Sequence, residues 1–151
     1  MLKAGDKAPL FSLLSDSGDL VKLADLHGKQ VVLYFYPKDD TPGCTVEACE
    51  FRDRWSDVAM AGALVFGVSP DGVASHQKFR KKFDLPFPLL VDPDHKVAEA
   101  YGAWGEKSLY GRKHLGILRT TCVIDQQGRV KRVFEKVKPQ GHAAEVLEAL
   151  R

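Results

Sequence analysis

The chain has 151 residues, 44% of them hydrophobic and 28% charged, with 13 glycines and 8 prolines, a balance that excludes collagenous, coiled-coil and disordered classes. It fits one domain spanning residues 1–151, because at this length a single sizeable core forms without disulfide or metal staples. The longest wholly apolar run, Val31 to Tyr36, is far shorter than the roughly 20 residues of a membrane-spanning helix, and a net charge of +2 points to no electrostatic partner.

The N-terminal stretch places Lys3, Asp6 and Lys7 where a signal peptide needs an apolar segment, so the expected location is the cytoplasm. Phe11–Ser15 and Leu20–Leu23, separated by the turn-like Asp16-Ser-Gly-Asp19, read as a small hairpin. Val31–Tyr36 is apolar on both faces and rich in β-branched and aromatic residues, as a strand buried on both sides requires. Pro37 ends it. From Pro42 the spacing changes, and Cys44, Ala48, Phe51, Trp55 and Val58 form one helical stripe, with Thr41 as N-cap and Pro42 as first helical residue.

Ala63–Ser69 reads as a buried strand, Gly72–Phe83 as a helix, Leu89–Val91 as a short strand and His95–Tyr101 as a short helix. Arg119–Ile124 and Val130–Val137 flank Asp125-Gln-Gln-Gly128, a turn that joins antiparallel strands, and Val146, Leu147 and Leu150 close the chain on a helix. Alternating βαβ units followed by a hairpin and a helix predict an α/β fold with a mixed central sheet covered on both faces.

Three cysteines without a secretory signal suggest free thiols, metal ligation or redox chemistry rather than a disulfide framework. Cys44 falls in the first turn of a helix that directly follows a buried strand. A free thiol with a pKa of about 8.5 is only ~3% ionised at pH 7, and a helix N-terminus or a neighbouring cation lowers that pKa. The sequence neighbours Asp39, Asp40 and Glu47 oppose the effect and Lys38 is the only adjacent cation, so a cation from elsewhere in the fold is needed. Arg119, at the start of a buried-looking strand, is the candidate, since an unpaired guanidinium there is costly.

These residues resemble the peroxiredoxins of the bacterioferritin-comigratory-protein, or PrxQ, class. The P-x-x-x-T-x-x-C loop of that class stands here as Pro37-Lys-Asp-Asp-Thr-Pro-Gly-Cys44, and a second block runs from Trp104-Gly-Glu-Lys through Gly116-Ile-Leu-Arg-Thr-Thr121 to Ile124-Asp125. The resemblance covers nearly the whole chain. It implies a thioredoxin-like fold and a thiol peroxidase for hydrogen peroxide and organic hydroperoxides, with Cys44 as the peroxidatic cysteine. Arg119, the Thr41 hydroxyl and the amides of Gly43 and Cys44 would bind the peroxide, and Pro37 would shape the pocket. A capping Thr41 accepts from a first-turn amide and keeps its proton for the thiolate or the peroxide.

Oxidation would leave Cys44 as a sulfenic acid, which a second thiol converts to a disulfide. Residues five apart in a helix lie about 8–9 Å apart at Cα, beyond the roughly 7 Å limit of a disulfide, so a Cys44–Cys49 bond requires the first turns to unwind. The resemblance supports Cys49 as the resolving residue. Cys122, three residues after Arg119 on a strand, faces the other side of the sheet and reads as a small buried hydrophobe. The resemblance further implies thioredoxin, or glutaredoxin, as reductant, no cofactor and a monomer.

Three other classes compete. Zinc ligation by Cys44, Cys49 and His76, His95 or His114 lacks the usual paired spacing. A thiol–disulfide oxidoreductase would carry Cys-x-x-Cys, and position 47 is Glu. A non-enzymatic module, for instance a chaperone or a nucleic-acid binder, could use the nine Lys and Arg between Lys107 and Lys138, but that segment lacks interleaved aromatics, and neither nucleic acid nor membrane is expected as a partner.

Overall fold

The computed structural model describes residues 2–151, and at Leu109 the backbone alone. The apolar run after Lys29 forms strand β3 (Gln30–Phe35), every residue of which is buried. It lies inside a seven-stranded sheet of order β2-β1-β5-β4-β3-β8-β9. β4 (Ala63–Ser69) pairs with β3 in parallel and β5 (Leu89–Val91) extends the parallel part. β8 (Thr120–Ile124) pairs with β3 antiparallel, and β9 (Val130–Phe134) continues outward. The hairpin of β1 (Ser12–Ser15) and β2 (Leu20–Lys22) adds to β5 on the opposite edge. The sheet is therefore mixed, as the element order predicts.

Alternation along β3 divides the core in two. Val32, Tyr34 and Tyr36 join one apolar cluster, under α1 (Pro42–Asp53), α2 (Trp55–Met60), α3 (Val73–Phe83) and α5 (His142–Leu150). Val31, Leu33 and Phe35 join the other, with Phe11 and Leu23 from the N-terminal segment and Ala98 from α4 (Lys96–Ala100). Cys44 belongs to the first cluster and Cys122 to the second, so the sheet separates them. This is the opposite-face arrangement that period-2 alternation demands of the β8 cysteine.

Two elements differ from the sequence reading. The helical stripe from Cys44 to Val58 is carried by two helices, because Arg54 (φ −106°, ψ 17°) leaves helical geometry between α1 and α2. The stripe survives the break, since Val58 N–H still bonds to the Arg54 carbonyl at 3.1 Å and the phase is kept. The second difference is a separate two-stranded ribbon, β6 (Trp104–Leu109) with β7 (Arg112–Ile117). Its turn, Tyr110-Gly111, has φ of 52° and 77°, the left-handed pair that matches strand twist in a two-residue hairpin.

Candidate active site

β3 is the strand from which the chain builds in both directions, to β4 on one side and β8 on the other. Clefts beyond the carboxyl ends of strands at such a switch point are where open α/β sheets place their ligands. The loop leaving β3 there carries Pro37, half-buried, and delivers the start of α1. Beneath it the Tyr34 ring stacks on Phe51 of α1 with centroids 5.0 Å apart. Gly67 on β4 makes room for that ring: a Cβ there would stand 2.8 Å from the Tyr34 hydroxyl.

Cys44 sits in the first turn of α1 and is buried. Arg119, between β7 and β8, reaches it across the fold: Nη2 donates to Cys44 Sγ at 3.4 Å and Nη1 to Glu47 Oε1 at 2.9 Å. Backbone bonds fix the arginine from both sides, Leu118 N–H to the Ala103 carbonyl at 2.7 Å and Val137 N–H to the Arg119 carbonyl at 3.0 Å. Gly43 is small because the guanidinium passes close, and a Cβ there would lie 3.2 Å from Nη2 and 3.4 Å from Pro139 Cγ. The cation that the acidic neighbourhood of Cys44 calls for is thus supplied by Arg119.

Glu47 has a different place from the one its sequence position suggests. It does not act simply as an opposing charge: it is buried and paired with Arg119, with Oε2 left without a partner. Burial pushes its carboxyl up to about 7, against the pull of the Arg119 charge. Burial likewise works against the charge of Arg119, but Glu47 and Cys44 together hold its pKa above the ordinary arginine value. The clue lies in the helical stripe, because position 47 is i+3 from Cys44 and shares its buried face, so a carboxylate there needs a cation.

Thr41 is the N-cap residue of α1 by backbone, and its carbonyl accepts the Thr45 N–H at 2.9 Å. Its hydroxyl does not cap the helix, contrary to the sequence expectation. It donates to the Lys38 carbonyl at 2.9 Å, across a turn in which Asp40 takes a φ of 57°. The proton expected to serve the thiolate is therefore engaged with the loop, while the oxygen lone pairs stay open. The turn also leaves the N–H groups of Gly43 and Cys44 with no side-chain acceptor. Such amides at a helix start bind a ligand oxygen or developing negative charge.

Cys49 lies further along α1 and is half-buried; burial raises its thiol above the ordinary range. It shares one unbroken helix with Cys44. Cys122 is buried among apolar side chains, which push its thiol up to about 12. Among the described residues the one grouping of potential metal ligands is Asp39, Asp71 and His76, which includes no cysteine. A cavity of about 370 Å³ opens beside Arg119, walled also by Leu118, Thr120, Glu135 and Lys136.

The AhpC/TSA family profile matches residues 4–133. The chain belongs to the AhpC/TSA family. A protein of Coxiella burnetii named as peroxiredoxin bcp is 52% identical over 149 residues, covering 99% of both chains. The solved peroxiredoxin Q of Xanthomonas campestris superposes with a TM-score of 0.91 at 39% identity, over 97% of this chain and 96% of that one. The bacterioferritin comigratory protein of Xanthomonas campestris, solved as a trapped intermediate/ligand complex bearing on its alkyl peroxide reduction activity, gives a TM-score of 0.91 at 38% identity, over 98% and 97% of the two chains. The chain is thus a peroxiredoxin with the thioredoxin-like fold that its two motif blocks imply. Thiol peroxidase chemistry goes with that membership.

Proposed function

We propose that this peroxiredoxin reduces hydrogen peroxide and organic hydroperoxides at Cys44 and closes its cycle through an intramolecular disulfide with Cys49. The carrying observation is the Arg119 fork, which joins Cys44 Sγ and buried Glu47 at the start of α1. The Cys44 sulfur attacks one peroxide oxygen and the O–O bond breaks. Sulfur is oxidised to the sulfenic acid, and the second oxygen leaves as water or alcohol after taking a proton. Arg119 and the free amides of Gly43 and Cys44 stabilise charge on the leaving oxygen. The Thr41 oxygen accepts a hydrogen bond from the peroxide, and Pro37 bounds the pocket.

The Cys49 thiol then attacks the sulfenic sulfur, forming the S–S bond and releasing water. The two cysteines share an intact helix, so closure requires the first turns of α1 to unwind. A dithiol reductant, thioredoxin in this reading with glutaredoxin as the alternative, takes up the disulfide and is itself oxidised. The proposal includes a single domain over residues 1–151, a monomeric protein and a cytoplasmic location.

Two substitutions test this reading. Cys44→Ser abolishes peroxide consumption, whereas Cys49→Ser forms a trappable sulfenic acid but does not turn over with thioredoxin. Mass spectrometry after one equivalent of peroxide gives a loss of about 2 Da, with 44 linked to 49. Undiminished activity in Cys44→Ser rejects the assignment, and a 44–122 link rejects the resolving role of Cys49.

A further inference from the structure

The loop that delivers Cys44 is tied down, upstream of the helix, by a buried polar cluster that the peroxidase reaction does not consume. Asp39 is its centre. Oδ1 accepts from the Tyr36 hydroxyl at 2.6 Å, and Oδ2 accepts from the Ser75 hydroxyl at 2.8 Å and faces His76 Nδ1 at 2.7 Å. The Asp39 N–H donates to Asp71 at 2.8 Å, and the Ser69 hydroxyl donates to the same Asp71 oxygen at 2.7 Å. The loop is thereby bound at one residue to the end of β3, to the loop after β4 and to α3.

The partners of the cluster favour one protonation state. His76 is fully buried, and its Nε2 lies 2.8 Å from the Leu90 carbonyl oxygen. A carbonyl only accepts, so Nε2 carries a proton. Asp39 accepts from two hydroxyls as well as facing the ring, which favours the ionised, acceptor-only carboxylate and so places the shared proton on Nδ1. In that state the ring is an imidazolium, and at 2.7 Å what sits between it and Asp39 is a proton rather than a metal ion. The groups facing the ring are Asp39, Asp71, Tyr36 and the Leu90 carbonyl. Burial opposes the charge, but the hydrogen bond to Asp39 and the Asp39 charge outweigh it and hold the His76 pKa above the ordinary value.

We propose that Asp39, clamped by the buried imidazolium of His76, is a positioning residue for the peroxide site, fixing the loop ahead of Thr41, Gly43 and Cys44 and staying in place while the helix beyond it unwinds. The proposal rests on the peroxidase reading for its kinetic consequences. Asp39 is five residues from Cys44 in a loop pinned at both ends, so displacing it shifts the amides and sulfur that meet the peroxide. Misplacement of about 1 Å costs roughly 100-fold in rate. The neighbouring tether, Lys82 to Asp40 at 2.8 Å, is solvent-exposed and contributes little. It therefore serves as the control.

The test has two arms. In the first, NMR of ¹⁵N-histidine-labelled wild-type protein gives His76 as doubly protonated at pH 7.5, in both the reduced and the disulfide form. In the second, the rate constants of sulfenic acid formation and of disulfide closure are measured separately at 25 °C, with thermal unfolding followed on the same samples. Asp39→Asn and His76→Gln lower the first constant by roughly 10- to 100-fold and leave closure within about twofold, whereas Lys82→Met changes neither. A neutral His76 in the reduced protein, loss of its double protonation on oxidation, or variants that lose thermal stability but react at the wild-type rate each overturn the proposal. Wild-type protein that consumes no peroxide refutes the peroxidase reading instead, and the imidazole spectrum, which needs no peroxide, still decides the state of the clamp. If neither variant folds, the wild-type spectra decide it alone.

Discussion

Arg119 shows what one residue contributes when its two ends of charge are spent on different partners. Its fork spans Cys44 Sγ and Glu47 Oε1, whereas a lysine has a single ammonium and cannot present the same planar pair. Arg119→Lys is expected to slow sulfenic acid formation by roughly 100-fold, the scale of losing one aimed donor, as read by stopped-flow with hydrogen peroxide. A variant within threefold of wild type would mean that only the charge matters. Gly43→Ala makes the opposite point about stability. Its backbone is not left-handed, so alanine raises helix stability by about 1 kcal/mol, yet the added methyl stands 3.2 Å from Nη2 and pushes the guanidinium aside. The variant should melt higher and react several-fold slower; faster reaction would show that the contact does not set the arginine position. The approach of a distant cation, Arg119, to a cysteine in the first turn of a helix was legible from motif and chemistry. The role of Glu47 was not, although its i+3 position marked it as buried, and nor was the Thr41 hydroxyl bond to Lys38, which depends on the positive φ of Asp40.

At the scale of one element, α1 has two opposing requirements: it must be whole to hold Cys44 under Arg119 and must come apart for Cys49 to reach it. The resistance is local, through Arg119–Glu47 and through Glu50, which accepts the Gly141 N–H at 2.9 Å. Helix propensity in the first turns should then tune closure without touching peroxide reactivity. Thr45 is half-buried in the second half of that turn, and Ala and Gly at one helical position differ by about 1 kcal/mol. Thr45→Gly should close the disulfide about fivefold faster than Thr45→Ala, measured by thiol quenching and mass spectrometry, with equal rates of sulfenic acid formation. Equal closure rates would place the rate-limiting motion elsewhere. The helix itself was plain in the sequence because a stripe of apolar residues at helical spacing is a strong signal. The break at Arg54 was not, because one residue out of helical geometry preserved the stripe. The β6–β7 ribbon went unread for a different reason: it pairs only with itself, is largely exposed, and so carries no alternation of buried and exposed positions. Its turn uses Tyr110 at positive φ, where Asn or Asp is the usual mark.

Across the whole molecule the sheet joins two apolar layers, and the order of elements made that architecture legible because βαβ alternation and strand burial are written in periodicity. What periodicity does not encode is which polar side chains the packing buries. His142 is one of these, at the start of α5 with its ring edge-on to Phe51 and Phe134. Nε2 lies 2.7 Å from the Thr121 hydroxyl and Nδ1 3.3 Å from Glu145. Donation from Nδ1–H to the carboxylate with Nε2 accepting from Thr121 satisfies a neutral ring, the form that burial favours. Burial lowers its pKa against the hydrogen bond that it donates to Glu145. A histidine depressed in the folded state contributes stability that is present above the unfolded value of about 6.5 and is lost as pH falls through the folded value. The melting temperature of the wild-type protein should therefore fall relative to that of His142→Gln, which keeps a hydrogen-bonding group but has no proton to gain, as pH is lowered from about 6.5 towards 5. His76 acts in the opposite sense, since its raised folded value stabilises below about 6.5 and that contribution is lost as pH rises through the folded value, whereas Glu47, raised to about 7, loses its contribution between its ordinary carboxyl value and about 7 and so opposes the His142 limb equally in both proteins. Calorimetry of both proteins across pH 5–9 separates the limbs. An acid limb unchanged in His142→Gln would assign the acid sensitivity to other groups and leave the neutral ring without a part in it.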